Sequence, residues 1–168
     1  MDGQRLFLAL WPGEPTRASL ASHVPTWQWP PDATVYAEAD WHLTLHFIGP
    51  VAPTRVAELQ AALRLVPVQA FVLSTGHGQC WPHGLAVLCP DEVPPALLQL
   101  HRDLGRVLQS LDLPTDKRPF RPHLTLARRA QEAVPPVQPC ALDWPVRGFA
   151  LVASTGDAQR RYRVLQHF

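Results

Sequence analysis

The feature that most constrains the fold is a tetrapeptide, His-Leu-Thr-Leu, that occurs twice, at residues 42–45 and 123–126. The chain contains 8 histidines, 9 threonines and 24 leucines among its 168 residues. Random placement would give roughly 0.4 His-x-Thr matches, and roughly 0.01 once leucine is required at the other two positions. Two copies 81 residues apart therefore indicate a functional repeat rather than coincidence.

Strand geometry gives this repeat a chemical meaning. Successive side chains of a strand point to opposite faces, so the His and Thr of each copy share one face and the leucines share the other. We expect two such strands, one from each half of the chain, to place two imidazoles and two hydroxyls around one cleft. Because imidazole titrates at about pH 6.5, one ring can act as a general base while the other acts as a general acid. The alternative is that each copy is only the polar face of a surface strand.

Hydrophobic periodicity predicts an α+β fold in which antiparallel sheets carry helices on one side. The residue 76–84 segment, rich in glycine and histidine, is interpreted as a connection, and no composition shift marks a linker, so residues 1–168 are expected to form one domain. The predicted strands are 6–11, 34–36, 41–48, 71–73, 85–88, 119–127, 148–154 and 162–165, and the predicted helices are 14–23, 54–65 and 94–111.

The charge is unevenly distributed along the chain. Its total is +1, but residues 1–116 hold 6 basic and 11 acidic residues, net −5, whereas residues 117–168 hold 9 basic and 3 acidic residues, net +6. The near-neutral total argues against a general nucleic-acid coat protein. The basic C-terminal segment favours a local patch for an anionic ligand, and Arg160, Arg161 and Arg163 are candidates to extend such a patch along an RNA backbone.

Cysteine usage and hydropathy suggest where the protein acts. Cys80, Cys89 and Cys140 are odd in number and lack C-x-x-C spacing, which is typical of reduced thiols in a reducing compartment. No apolar run approaches the roughly 20 residues that cross a bilayer, and the N-terminus lacks the features of a signal peptide. We expect a cytoplasmic protein that makes no contact with membranes.

The residues around the two copies carry a family resemblance. Residues 5–10 (RLFLAL), 41–49 (WHLTLHFIG) and 118–128 (RPFRPHLTLAR) resemble the 2H phosphoesterase superfamily. Within it, the chain resembles the bacterial and archaeal RNA 2′,3′-cyclic phosphodiesterases, also called 2′-5′ RNA ligases. The resemblance implies a bilobal, pseudo-two-fold duplicated fold, each lobe an antiparallel sheet with helices on its outer side and the active-site cleft between the lobes.

The resemblance also implies an activity and roles for the repeat. It implies hydrolysis of RNA-terminal 2′,3′-cyclic phosphates to 2′-phosphates without metal, cofactor or ATP, and reversible 2′-5′ joining of RNA. His42 would donate a proton to the leaving 3′-oxygen, and His123 would accept a proton from water. Thr44 and Thr125 would hold the phosphate. The expected partners are RNA ends or nucleotides that bear a 2′,3′-cyclic phosphate, and the expected state is a monomer.

Three residues beside the motifs are candidates for substrate binding. On a regular strand His46 faces the cleft with His42, where its protonated ring would donate to phosphate. Strand parity also places Arg121 on the face of His123, whereas Arg128 faces away unless the strand bulges. Arginine suits phosphate because its planar fork makes two parallel hydrogen bonds. For His46 the alternative is a polar residue at the end of the strand, and for the two arginines it is a solvated surface residue.

Three other functions remain open at this stage. The same chemistry would serve other cyclic nucleotides or 2′-5′ oligonucleotides, which a substrate panel distinguishes. A metallohydrolase could use the histidines as ligands, and full activity in a chelator would exclude it. A non-catalytic RNA-end-binding module would keep the cleft without turnover.

Overall fold

The computed structural model describes residues 3–168. These residues form three α-helices, namely α1 (Glu14–His23), α2 (Pro53–Leu63) and α3 (Pro95–Ser110). They also form nine strands: β1 (Gln4–Leu10), β2 (Thr34–Val35), β3 (Leu43–Val51), β4 (Phe71–Trp81), β5 (Leu85–Pro90), β6 (Leu124–Arg128), β7 (Leu142–Val146), β8 (Ala150–Ser154) and β9 (Tyr162–His167).

The strands of residues 3–168 join into one antiparallel sheet with the order β7-β4-β5-β6-β3-β1-β8-β9, and β2 pairs with β6. The two central strands, β6 and β3, carry the two copies of the repeat. They meet at a single pair, Leu43 with Leu124, which are equivalent leucines of the two copies. The sheet thus has two halves that are related about this pair. The antiparallel sheet with its three α-helices confirms the predicted α+β fold.

Leucine spacing explains how the helices attach to the sheet. In α3, Leu97, Leu100, Leu104 and Leu108 recur at intervals of three or four residues and are all buried. Burying a leucine side chain contributes about 2 kcal/mol, so this stripe fixes the helix firmly. The α3 helix packs against β3 and α2, whereas α1 packs against β7 in the other half of the sheet. Helix α1 follows β1, which lies in the same half of the sheet as β3, so its packing against β7 connects the two halves.

The prediction that residues 76–84 form a connection is wrong for most of that segment. Strand β4 continues to Trp81 and pairs with β5 as a hairpin. Glycine within this strand has a packing reason, because a Cβ at Gly78 would lie 2.1 Å from a ring carbon of Trp27. The indole occupies the space of the missing side chain, and this long-range contact leaves no signal in the local sequence.

Strand β7 is absent from the strands predicted from the sequence. Its buried residues alternate as Leu142, Trp144 and Val146, which is the pattern of a half-buried strand. Pro145 is tolerated within this strand because β7 lies at the edge of the sheet, where a missing N–H costs no ladder hydrogen bond. No helix within residues 3–168 is long and apolar enough to span a membrane.

Candidate active site

The two copies of the repeat line one cavity of about 290 Å³ where the halves of the sheet meet. Both histidines and both threonines of the repeat face it. The full lining comprises Phe7, Tyr36, His42, Thr44, Phe47, Leu85, His123, Thr125, Arg128, Ser154 and Tyr162. The expected convergence of two imidazoles and two hydroxyls on one cleft is therefore present in the structure.

The two histidines are held in the same way. Each stands one residue before its strand, and its Nδ1 meets the backbone carbonyl two residues earlier. The distance is 2.6 Å from His42 to the oxygen of Asp40 and 2.7 Å from His123 to the oxygen of Arg121. A carbonyl oxygen only accepts, so Nδ1–H donates in both rings and Nε2 is left for proton transfer. This matched orientation is what paired acid–base chemistry requires.

Aromatic rings enclose His42. The ring of Trp11 is stacked on it at 5.4 Å between centroids and 12° between planes, and Phe7 lies at 5.1 Å. Tyr162 meets the same imidazole edge-on at 4.9 Å. Removal of the ring from water disfavours its charged form, and this burial lowers the pKa of His42 to about 4. His42 is consequently neutral at pH 7 when the cavity holds no anion.

His123 has a different aromatic neighbour and a pKa shift in the same direction. The ring of Trp81 lies 4.5 Å from the ring of His123 between centroids. Burial lowers the pKa of His123, and the charge of Arg121 lowers it further, against the hydrogen bond to the Arg121 carbonyl. Both rings therefore favour the neutral form, which differs from the expectation of one charged ring at about pH 6.5. An anion in the cavity would restore a proton to one of them by favouring the charged form.

A bulge in β3 decides which residue follows Thr44 into the cavity. In the pairing with β1, both Thr44 and His46 have partners, while Leu45 between them has none. The extra residue reverses the alternation of side chains beyond it. Phe47, rather than His46, therefore lines the cavity and is 48% exposed.

The expectation that His46 faces the cleft is wrong, and the bulge is the physical reason. The ring of His46 is only 4% exposed and lies on the opposite side of the strand, against α3. Its Nε2 lies 2.8 Å from the carbonyl oxygen of His101, and the two imidazoles stack at 4.1 Å between centroids. Burial lowers the pKa of His46, against the hydrogen bond to the His101 carbonyl, which raises it, so the buried ring favours its neutral form.

The second copy has the equivalent bulge. In β6, Thr125 and Ala127 are paired with β5, while Leu126 between them is not. The bulge that the sequence left open for Arg128 is thus present, and Arg128 lines the cavity at the position equivalent to Phe47. Its Nε donates a hydrogen bond to the hydroxyl of Tyr36.

Arg121 lies outside the residues that line the cavity. Strand parity does not apply to it, because β6 begins only at Leu124. Its guanidinium carbon lies 4.2 Å from the centroid of the Trp81 ring, which in turn contacts His123. The expectation that the Arg121 side chain shares the face of His123 is therefore wrong: the side chain contacts His123 only through the indole, while the Arg121 backbone carbonyl accepts the hydrogen bond from the ring.

Ser154 and Tyr162 are among the residues of the cavity that received no role from the sequence. They pair with each other across β8 and β9. The tyrosine sits at the start of a strand that the sequence predicted, but nothing local shows that this strand lies near His42. Only the strand order of the sheet, β3-β1-β8-β9, brings them to the site.

The side chains of residues 3–168 include no group of three or more His, Cys, Asp or Glu that could hold a metal ion. His46 shows why, since the bulge removes it from the face that carries His42 and Thr44. The metallohydrolase reading relied on those three residues sharing one face.

The chain is similar to known proteins along its whole length. It is 30% identical over 175 residues to the RNA 2′,3′-cyclic phosphodiesterase of Escherichia coli K12, covering 99% of this chain and 97% of that protein. It is 34% identical over 122 residues to the protein of the same name from Geobacillus stearothermophilus, covering 67% of this chain but only 37% of that protein. The crystal structure of E. coli LigT complexed with 3′-AMP superposes with a TM-score of 0.85 at 29% identity, covering 99% of this chain and 97% of that one.

A family model also matches most of the chain. The model, described as the 2′-5′ RNA ligase superfamily, matches residues 16–158, which include both copies of the repeat. The chain belongs to the 2′-5′ RNA ligase superfamily.

Proposed function

We propose that this protein hydrolyses the 2′,3′-cyclic phosphate at the end of an RNA chain to a 2′-phosphomonoester. The observation that supports this most strongly is the pair of histidines held alike on one cavity, with a threonine hydroxyl beside each. The relative from E. coli is named for this activity, and LigT of that organism holds 3′-AMP in its crystal structure.

The proposed reaction assigns one proton transfer to each histidine. Nε2 of His123 takes a proton from water as the water oxygen bonds to phosphorus. The bond from phosphorus to the 3′-oxygen breaks, and Nε2 of His42 gives its proton to that oxygen. One water is consumed, and the product carries a 2′-phosphate and a free 3′-hydroxyl. With a 5′-hydroxyl of RNA in place of water, the same proton transfers break the bond from phosphorus to the 3′-oxygen and join two chains through a 2′-5′ phosphodiester without ATP.

The protonation state of His42 before substrate binds determines how this cycle begins. His42 is neutral at pH 7, because burial lowers its pKa to about 4. The anionic phosphate of the substrate favours the imidazolium form, so His42 acquires its proton as the substrate binds. His123 remains neutral for its role as base. Substrate binding and protonation of one histidine are thus coupled.

The phosphate oxygens would be held by groups that are already in place. Thr44 and Thr125 line the cavity next to the histidines, and their hydroxyls would donate hydrogen bonds to the two free phosphate oxygens. Arg128 adds a positive charge to the same cavity. Donors fixed before the reaction cost little reorganisation when charge develops on the phosphate.

The test is turnover of RNA ending in a 2′,3′-cyclic phosphate, with and without a chelator. We expect full activity in the chelator and a 2′-phosphate product. Other cyclic nucleotides and 2′-5′ oligonucleotides, assayed alongside, would show whether the substrate class is wider. A 3′-phosphate product would contradict the assignment of His42 and His123, and loss of activity in the chelator would contradict a reaction without metal.

We further propose that residues 1–168 work as one catalytic domain, as a monomer and in the cytoplasm. Both copies of the repeat lie on one chain and line one cavity, so a single copy of the protein supplies the two histidines and the two threonines. Cys80, Cys89 and Cys140 are free thiols, which suits a reducing compartment. Light scattering of the purified protein measures its molar mass in solution and so tests the monomer. The mass of a dimer would contradict the proposal.

A further inference from the structure

One edge of the cavity carries two arginines that approach the same tyrosine from opposite halves of the sheet. Arg128, on β6, donates from Nε to the hydroxyl of Tyr36. The guanidinium of Arg161, in the connection before β9, lies 5.0 Å from the centroid of the Tyr36 ring. We call these three residues the arginine edge. It joins the two halves of the protein beside the histidines.

The arginine edge is continuous with the cavity. Arg128 and Tyr36 line the cavity themselves. Tyr162 also lies within electrostatic range of both arginines and contacts His42 at 4.9 Å between ring centroids. An anion that extends beyond the histidines on this side therefore meets Arg161.

Neither arginine of the edge has a close carboxylate partner. The ion pairs of residues 3–168 lie elsewhere, at Arg55–Glu58, Arg106–Asp103 and Arg118–Asp116. Asp40 and Arg161 interact electrostatically, but their charged atoms lie more than 4.0 Å apart and do not form an ion pair. Two guanidinium groups around one ring repel each other, and a bound anion would relieve that repulsion.

We propose that the arginine edge binds a phosphodiester of single-stranded RNA next to the terminal phosphate held by the histidines. This inference rests on the proposed function, and it makes the substrate an oligonucleotide rather than a cyclic mononucleotide. Guanidinium forks match phosphate oxygens in charge and geometry. A stretch of positive charge that leads away from the reacting end is what an RNA backbone requires.

The neighbouring hairpin offers a matched control. Arg163 lies two residues after Arg161, and it is exposed. It pairs with Ala153, whereas Tyr162 pairs with Ser154 of the cavity lining. Because adjacent side chains of a strand alternate, Arg163 lies on the face of the sheet away from the cavity. Arg163→Gln thus removes the same charge from the same hairpin without touching the arginine edge.

The experiment measures binding of fluorescently labelled single-stranded RNA ending in a 2′-phosphate, at several salt concentrations. We expect Arg161→Gln to weaken binding by about fivefold and to reduce the slope of log affinity against log salt by about 0.7. Arg161→Lys keeps the charge but loses the fork, so it should keep the slope and recover part of the affinity. Arg163→Gln should match the wild type.

Turnover separates this inference from the proposed function. The ratio of kcat/KM for cyclic-phosphate RNA to that for a cyclic mononucleotide should fall about fivefold in Arg161→Gln. Equal RNA affinity and salt slope in wild type and Arg161→Gln would overturn the inference, even if both hydrolyse the substrate. Weakened RNA binding in a protein without turnover would support the arginine edge and refute the proposed function instead.

Discussion

The column of rings behind the first motif should make the protein sensitive to mild acid. His101 of α3 stacks on His46 at 4.1 Å between centroids and on Phe120 at 3.9 Å. Burial and, to a smaller extent, the nearby His46 lower the pKa of His101 from 6.5 to about 4, against the effects of Leu45 and Asp116. We expect His101→Phe, which preserves an aromatic ring at the centre of the column, to reduce the acid sensitivity of folding.

The magnitude follows from the difference in proton uptake. Between pH 6.5 and 4 the unfolded chain binds a proton at His101 that the folded chain excludes. Stability from this group is therefore complete above pH 6.5 and is lost as the pH falls toward 4. Linkage gives a loss of about 1.8 kcal/mol between pH 7 and pH 5 for a fully shielded ring. The ring is half-buried, so solvent screening reduces the expected loss to roughly 1 kcal/mol.

Urea unfolding at pH 7 and pH 5 measures this effect. Lowering the pH should cost His101→Phe roughly 1 kcal/mol less than it costs the wild type, a difference of about 0.5 M in midpoint at a typical urea slope. His77, exposed on β4, supplies the control, because His77→Phe should keep the pH dependence of the wild type. Equal losses of stability between pH 7 and pH 5 in the wild type and His101→Phe would show that His101 does not make folding sensitive to acid. The comparison uses the pH difference, so any change in stability at pH 7 cancels.

Four further variants test the cavity and the packing around it. His123→Ala should keep the fold and lower kcat by 10²- to 10⁴-fold, the usual contribution of a general base, in initial-rate assays with thermal unfolding as the control. Thr44→Val and Thr125→Val keep the shape of the side chain but lose its hydroxyl, so each should lower kcat/KM about tenfold. The serine variants keep the hydroxyl and should recover the activity. Unchanged kcat/KM in the valine variants would exclude hydrogen bonds from these hydroxyls to the phosphate. Gly78→Ala should destabilise the protein by about 2 kcal/mol in urea unfolding, since its Cβ would lie 2.1 Å from a ring carbon of Trp27, and an unchanged midpoint would contradict that contact.

Local pattern was enough to predict the elements that are decided by local chemistry. The α1 helix has the predicted bounds because a proline in its first turn and a break after His23 are both visible in the sequence. The repeat itself predicted that two histidines and two threonines would meet, and they line one cavity. Two identical motifs predict this because their repetition indicates both a duplicated fold and a shared site.

The errors arise where distant parts of the chain decide the local structure. The bulges at Leu45 and Leu126 follow from pairing with β1 and β5, and they exchange the predicted faces of His46 and Arg128. Tyr162 likewise contacts His42 only because the order of the strands brings β9 close to β3, which no local pattern predicts. A period of two is reliable only while each residue of the strand has a partner.

The equivalent bulges also explain a sequence difference between the copies. Positions His46 and Ala127 both point away from the cavity, so they are free to differ according to what packs behind each strand. Phe47 and Arg128 both point into it, and there one half presents an aromatic face and the other a positive charge. The pseudo-two-fold framework is therefore symmetric in backbone and asymmetric in what it offers a ligand.

The proposal that His42 and His123 divide one acid–base reaction between them is checked by the pH dependence of kcat/KM in each single variant. The wild type should give a bell-shaped profile. His123→Ala should lose the rise at low pH and keep a fall above about pH 4, the pKa of His42 in the empty cavity. His42→Ala should lose the fall at high pH and keep the rise. If both variants retain the full bell, or if the two limbs are lost in the opposite order, the proposed division of roles is wrong.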